Sequence, residues 1–244
     1  MDRRGFLKSA GIGGAAFLGA GALSGNRLDS DLGPLAGSEA GLMSPNEDLM
    51  QEHALLNRVL LIYEQVVRRL EGQKGLEPDI LKRSAQIIRH FIEQYHEKLE
   101  EDFVFPRFEK AGKLLDLVAV LREQHKAGRA LTEVIISSAT AQVFTDPTER
   151  KKLVGAITSF IRMYRPHETR EGSVLFPAFR DLVPGREFQE LGEMFEKREH
   201  ELLGPEGFEG QVQAVAVIEK RLGIYELSQY TPRSRSIRNG GMQT

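Results

Sequence analysis

Cysteine is absent from the 244-residue chain, which excludes disulfides, thiolate chemistry, iron–sulfur clusters and Cys-ligated zinc. Robustness must then come from core packing or a bound metal, and any metal must be held by histidine and carboxylate. Net charge is also scarce: 33 basic residues against 35 acidic ones leave a formal charge of −2, so bulk charge points to no nucleic acid and no acidic partner. Between 44 and 182 nothing alternates apolar with polar in the way a half-buried strand does. The longest weakly apolar run, Ser9 to Leu23, spans 15 glycine-rich residues, short of the ~20 that a membrane-crossing helix needs. Function must therefore come from local features.

The first of these is MDRRGFLKSAGIGGAAFLGAGALSG at the N-terminus. Arg3-Arg4, then Phe6-Leu7-Lys8, a Gly/Ala-rich run and Ala20-Gly21-Ala22 resemble a twin-arginine export signal cleaved after Ala22. The resemblance implies a periplasmic or otherwise exported protein, the twin-arginine translocation machinery as a partner, and no stable membrane span after cleavage. Residues 1–22 are thus expected to be the signal, and 23–43, rich in Gly, Ser, Asp and Pro without periodicity, a disordered linker.

Helical periodicity begins at SPNE, where Ser44 suits an N-cap, Pro45 the first helical position and Glu47 a capping box. Leu49, Leu56, Leu60, Tyr63, Val67 and Leu70 form one stripe, and His53 fills its gap. A second helix from Pro78 carries Ile88, Ile92, Tyr95, Leu99 and Phe103, with His96 and Glu100 on its edge. A third, from about Lys113 to Ala141, carries Leu114, Val118, Leu121, Gly128, Thr132 and Ile135, and its gap is His125. A fourth, from Pro147, carries Leu153, Ile157, Phe160, Tyr164, Glu171 and Val174, and its gap is His167. The expected fold is an all-α antiparallel four-helix bundle over 44–182, followed by a helical extension at 183–224 and a disordered tail at 225–244.

The bundle repeats internally. HEKLEEDFVFPRF at 96–108 matches HETREGSVLFPAF at 167–179, and QEHALLNR around His53 matches EQHKAGRAL around His125. The step from the single histidine to the following HExxE is 43 residues in one half (53 to 96) and 42 in the other (125 to 167). Two equivalent helical hairpins follow from that spacing.

On a helix, i and i+4 lie about one turn (~6 Å) apart on one face. His96 with Glu100, and His167 with Glu171, can therefore each aim an imidazole and a carboxylate at one point. Burying two carboxylates costs several kcal/mol each unless they are compensated, and the inward stripes supply no Lys or Arg at that level. A pair of metal ions ~3.5–4 Å apart bridged by carboxylates would compensate them. Nitrogen and oxygen donors without thiolate suit iron or manganese, with zinc as an alternative.

His53, His96-x-x-x-Glu100, His125 and His167-x-x-x-Glu171, with a Phe-Pro pair after each HExxE, resemble the hemerythrin-like, or HHE cation-binding, family over residues 44–182. The resemblance implies a non-haem di-iron centre with two Fe ions, the four histidines as terminal ligands, and Glu100 and Glu171 as bridges. It implies an oxygen-like small molecule as the partner that the centre binds or senses, with a di-iron oxidoreductase or metal storage as alternatives. One departure stands out: oxygen-carrying hemerythrins have a His-x-x-x-His pair on the third helix, but Arg129 stands four residues after His125 and Leu121 four before. Glu97, next to His96, is a further candidate ligand, because F-box relatives use that glutamate. Its counterpart Glu168 is read as facing solvent, since i+1 points ~100° away.

Other residues are read more plainly. His90 and His200 belong to no stripe and are expected at the surface. Pro166 is expected to kink the fourth helix. Tyr63 and Tyr164 are read as core residues that could donate to a metal-bound ligand, Gly128 as leaving room for a ligand, and Phe105-Pro106 and Phe176-Pro177 as anchors ending their helices.

Overall fold

The computed structural model describes residues 43–232. The twin-arginine stretch, nearly all of the expected linker, and the tail from 233 lie outside the described residues.

Helix α1 (Pro45–Glu71) starts as its sequence dictates. Ser44 is the extended N-cap, its hydroxyl accepts from the Glu47 N–H at 3.4 Å, and its own N–H donates to Glu47 Oε2 at 3.0 Å. Such a reciprocal cap satisfies two of the otherwise orphaned N–H groups. Helix α2 (78–111) is one long rod of mixed winding. Pro78–Ile87, Glu97–Leu99 and Phe105–Ala111 are α-helical, while Ile88–His96 and Glu100–Val104 are π-type. A tight reversal with left-handed Gly112 (φ 64) and Leu114 (φ 51) leads into α3 (Leu115–Ser138). After the short α4 (Ala141–Thr145), Asp146 caps α5 (147–182), which is α-helical over Pro147–Arg170, π-type over Glu171–Leu175, and α-helical again over Phe176–Leu182.

Helices α1, α2, α3 and α5 close an antiparallel ring in which each packs on the two that flank it. The described residues contain no strand. Leu49, Leu56, Leu60 and Tyr63 of α1 meet Val118, Leu121, Leu153, Ile157 and Phe160 in one core, each large apolar side chain contributing about 1.5–3 kcal/mol by leaving water. α1 also buries a second set, Leu55, Val59, Ile62 and Val66, because the hairpin of α6 (Gly185–Leu203) and α7 (Gly207–Leu222) packs outside the bundle against it. Arg58 of α1 grips Glu219 of α7 through two bonds, of 3.0 and 2.6 Å. Of the stretch expected to be a disordered tail, Leu227–Tyr230 forms an exposed 3₁₀ turn.

Three details depart from the periodicity. The reversal before α3 uses two left-handed residues, so Leu114 sits outside the helix and is exposed. Helix α5, expected to kink at Pro166, is not ended there and stays helical as far as Arg170 and onward. The Phe-Pro pairs do not end their helices either, which continue for seven residues from Phe105 and from Phe176. The π turns explain how. The N–H of Phe105 bonds to the carbonyl of Glu100, and that of Phe176 to that of Glu171, both five residues back. The wider turn hosts the following proline, which has no N–H to give and would otherwise crowd the carbonyl four residues before it.

Candidate metal centre

Each bundle helix sends one imidazole inward, and all four are buried. His53 Nε2 lies 3.0 Å from His96 Nε2 and 3.3 Å from Glu171 Oε2. His96 Nε2 lies 3.7 Å from Glu100 Oε2. In the second half, His125 Nε2 lies 3.4 Å from Glu100 Oε2 and His167 Nε2 3.2 Å from Glu171 Oε2. Two donor groups result, His53/His96/Glu100/Glu171 and Glu100/His125/His167/Glu171, the ligand atoms of each lying within 4.8 Å of one another. The glutamates belong to both groups.

The outer nitrogens settle the ring orientations. Nδ1 of His96 meets Glu52 Oε2 at 2.7 Å, that of His125 meets Glu101 Oε1 at 3.1 Å, and that of His167 meets Gln124 Oε1 at 2.9 Å. An acceptor on the Nδ1 side keeps the proton there and turns the Nε2 lone pair inward, as a metal-binding imidazole requires. Glu52 and Gln124 are equivalent, each preceding the first histidine of its hairpin and each orienting the second. Glu52 also groups with Asp48 and Glu199, three buried carboxylates that join α1 to α6. Phe176 stacks on His53 at 5.3 Å between centroids and Phe105 on His125 at 5.5 Å. The Phe-Pro motif, expected to be mere anchoring, thus walls the histidines.

Whether a cation fits is answered by orphaned atoms. Both oxygens of Glu100 and both of Glu171 are buried with no hydrogen-bond partner, as is His125 Nε2; the nearest imidazole nitrogens lie at 3.2–3.7 Å without hydrogen-bond geometry. Burial and the facing Glu171 charge push Glu100 well above the usual carboxylate range. Burial would raise Glu171 too, but His167 and His53 outweigh it and hold it below that range. Burial lowers His53, whereas at His167 the attraction of Glu171 overcomes burial and raises the imidazole. Atoms that share one ion at ~2.0–2.2 Å stand roughly 3–3.6 Å from one another, which matches the separations above. The donors fit a cation.

Glu168 is placed differently from expectation, and Glu97 is engaged by neighbouring side chains. Glu97 is buried, with Oε1 accepting from the Tyr164 hydroxyl at 2.6 Å and Oε2 2.7 Å from Arg129 Nη2. Arg129, on the flank of α3 and outside its inward stripe, supplies a cation to Glu97 and Glu101. Glu168, expected in solvent, is also buried and accepts from Asn57 Nδ2 at 2.7 Å. Burial raises it to about 7. Sequence reasoning missed Glu52, Glu101 and Gln124 altogether. The one available signal was that Glu-His and Gln-His occupy matching slots in the two repeats. His90 and His200 are exposed.

Gly128 leaves room for Tyr164 and not for a ligand. A Cβ there would collide with the Tyr164 hydroxyl and stand 2.8 Å from its Cζ. Gly128→Ala is therefore expected to destabilise the protein by about 1–3 kcal/mol, the usual range for overpacking, although alanine is the better helix former. Tyr164→Phe in the same background should recover part of the loss. Urea denaturation of the single and double variants checks this, and a Gly128→Ala protein as stable as wild type would refute it.

An all-α bundle with two buried histidine–carboxylate groups at its middle defines a helical metal-binding protein. The hemerythrin HHE cation binding domain matches residues 44–143 and again 116–205, and the chain belongs to that family. Uncharacterized proteins of Mycobacterium tuberculosis and Mycobacterium bovis are 50% identical to it over 186 residues, covering 76% of this chain and 73% of theirs. No solved structure matches. No helix among the described residues is long and apolar enough to cross a membrane.

Proposed function

We propose that the chain is an exported non-haem di-iron protein that binds or senses oxygen or a related small molecule. The observation carrying this reading is the set of four partnerless oxygens of Glu100 and Glu171, each carboxylate shared between two pairs of inward imidazole nitrogens. His53 and His96 would hold one ion, His125 and His167 the other, and the two glutamates would bridge them. Iron in such a site supplies open coordination positions and reversible electron transfer. The protein's own part is to orient His96, His125 and His167 through their Nδ1 partners, to place the two carboxylates between the imidazole pairs, and to limit water with Phe105, Phe176 and Tyr164, each at most 1% exposed. Export is supported by Arg3-Arg4 and the Ala20-Gly21-Ala22 sequence.

Metal analysis of protein made through its native route should give about two irons per chain, the stoichiometry of a carboxylate-bridged pair. Reduced protein exposed to oxygen should gain an absorption band that disappears under argon. Irreversible bleaching with peroxide turnover would favour an oxidoreductase, to which the four-histidine set lends weight because it leaves more exchangeable positions than a five-histidine one. Metal held without any oxygen response would favour storage. Replacing Arg3 and Arg4 with lysine should retain the protein in the cytoplasm; unchanged export would remove that part of the reading.

A further inference from the structure

The internal repeat pairs Asn57 with Arg129, each four residues after the first histidine of its hairpin, and Glu97 with Glu168, each one residue after the second. The contacts cross between hairpins. Asn57 of α1 donates to Glu168 of α5, and Arg129 of α3 forms an ion pair with Glu97 of α2. In both halves the carboxylate beside a metal-facing histidine is thus held by a donor from the other hairpin.

The halves differ in strength. Asn57 is neutral and makes one bond to Glu168. Arg129 is a cation whose Nη2 lies 2.7 Å from Glu97 Oε2 and 2.6 Å from Glu101 Oε1, and Glu101 is the acceptor for His125 Nδ1. No counterpart of Glu101 exists in the second repeat, where Gly172 stands. Glu97, Glu101 and His125 have ligand atoms within 4.8 Å of one another, so Glu97 lies close to a metal-facing histidine without belonging to either donor group at the centre. Charge-assisted bonds of this kind are roughly twice as strong as neutral ones.

We propose that Arg129 is a positioning residue that keeps Glu97 out of the metal coordination sphere and, through Glu101, fixes the His125 imidazole. The inference rests on the two-metal reading of the centre. It makes the arginine at the missing fifth-histidine position an active determinant of coordination: it withholds a carboxylate from the metals as well as failing to supply an imidazole.

Cobalt(II) loaded into the metal-free protein reports coordination directly, because its visible bands weaken as ligands are added. Wild type, Arg129→Met, Arg129→Lys, Glu97→Gln and Arg129→Met/Glu97→Gln would be titrated with cobalt and their spectra recorded beside circular dichroism. Arg129→Met should shift the bands and lower absorption per cobalt about twofold as Glu97, then held by the Tyr164 hydroxyl alone, adds to the metal, while Arg129→Lys and the double variant retain the wild-type spectrum. A folded Arg129→Met protein with the wild-type spectrum overturns the proposal, as does a double variant that keeps the altered one. Wild-type protein that takes up no cobalt would instead sink the metal reading itself.

Discussion

Glu100→Leu is expected to make the metal-free protein more stable and, at the same time, unable to be stabilised by metal. Glu100 is fully buried with both oxygens unpartnered, and burial with the facing Glu171 charge holds its carboxyl well above the usual carboxylate range. Replacing buried ionisable groups with apolar ones of similar volume can add about 1–4 kcal/mol of stability. The pH dependence has a fixed sign. A carboxyl raised in the folded state contributes stability at low pH that is lost as pH rises through its folded value, so the advantage of Glu100→Leu over wild type should widen as pH rises. Glu171→Leu should act oppositely, because Glu171 is held low by His167 and His53 and its removal leaves two imidazoles without their carboxylate. Calorimetry of both metal-free variants from pH 5 to 8 checks the contrast. A Glu100→Leu protein less stable than wild type throughout that range would remove the claim that the carboxylate awaits a cation.

Stripping metal from the wild-type protein is expected to lower its melting temperature by about 10–20 °C. Each ion present at about a hundred times its dissociation constant adds ~2.7 kcal/mol, and a kcal/mol shifts a domain of this size by about 2–4 °C. The loss should be undone by added metal and should also appear on acidification below about pH 6.5, as protons compete for the imidazoles. His96→Ala should bind at most about one metal instead of two and lose most of the stabilisation. Paired thermal melts with and without a chelator measure it; a melting temperature that ignores both chelator and metal would show that the buried donors are compensated in some other way.

The helices and the inward histidines could be read from the sequence because a 3.6-residue period with clear caps leaves little choice. Ser44, Pro147 and the stripes around His53 and His167 mark where α1 and α5 begin and which way they face. Counting failed where winding changes. The π turns at Glu100–Val104 and Glu171–Leu175 insert an extra residue, so Val104 and Leu175 are fully buried where periodicity named Phe103 and Val174. Helical phase assigns Glu168 to solvent because i+1 points away from the stripe, but α1 packs against that flank of α5 and Asn57 meets it there. Arg129 was invisible as a partner because its reach depends on a long side chain crossing from α3, which helical phase does not encode. Gly128 carried a signal that only the opposing Tyr164 could interpret.

The wide turn between each glutamate and its Phe-Pro pair acts as a phase corrector in the rod. An ordinary helix advances ~100° per residue, so deleting one residue there, Asp102 for instance, would rotate everything beyond it by that angle. Phe105 would leave His125 and Pro106 would meet the carbonyl it now avoids, although every other residue remained. The interval from glutamate to proline is accordingly a length constraint: substitutions within it are open wherever the side chain faces water, whereas a change in residue number disconnects the lower half of the helix from the centre above it.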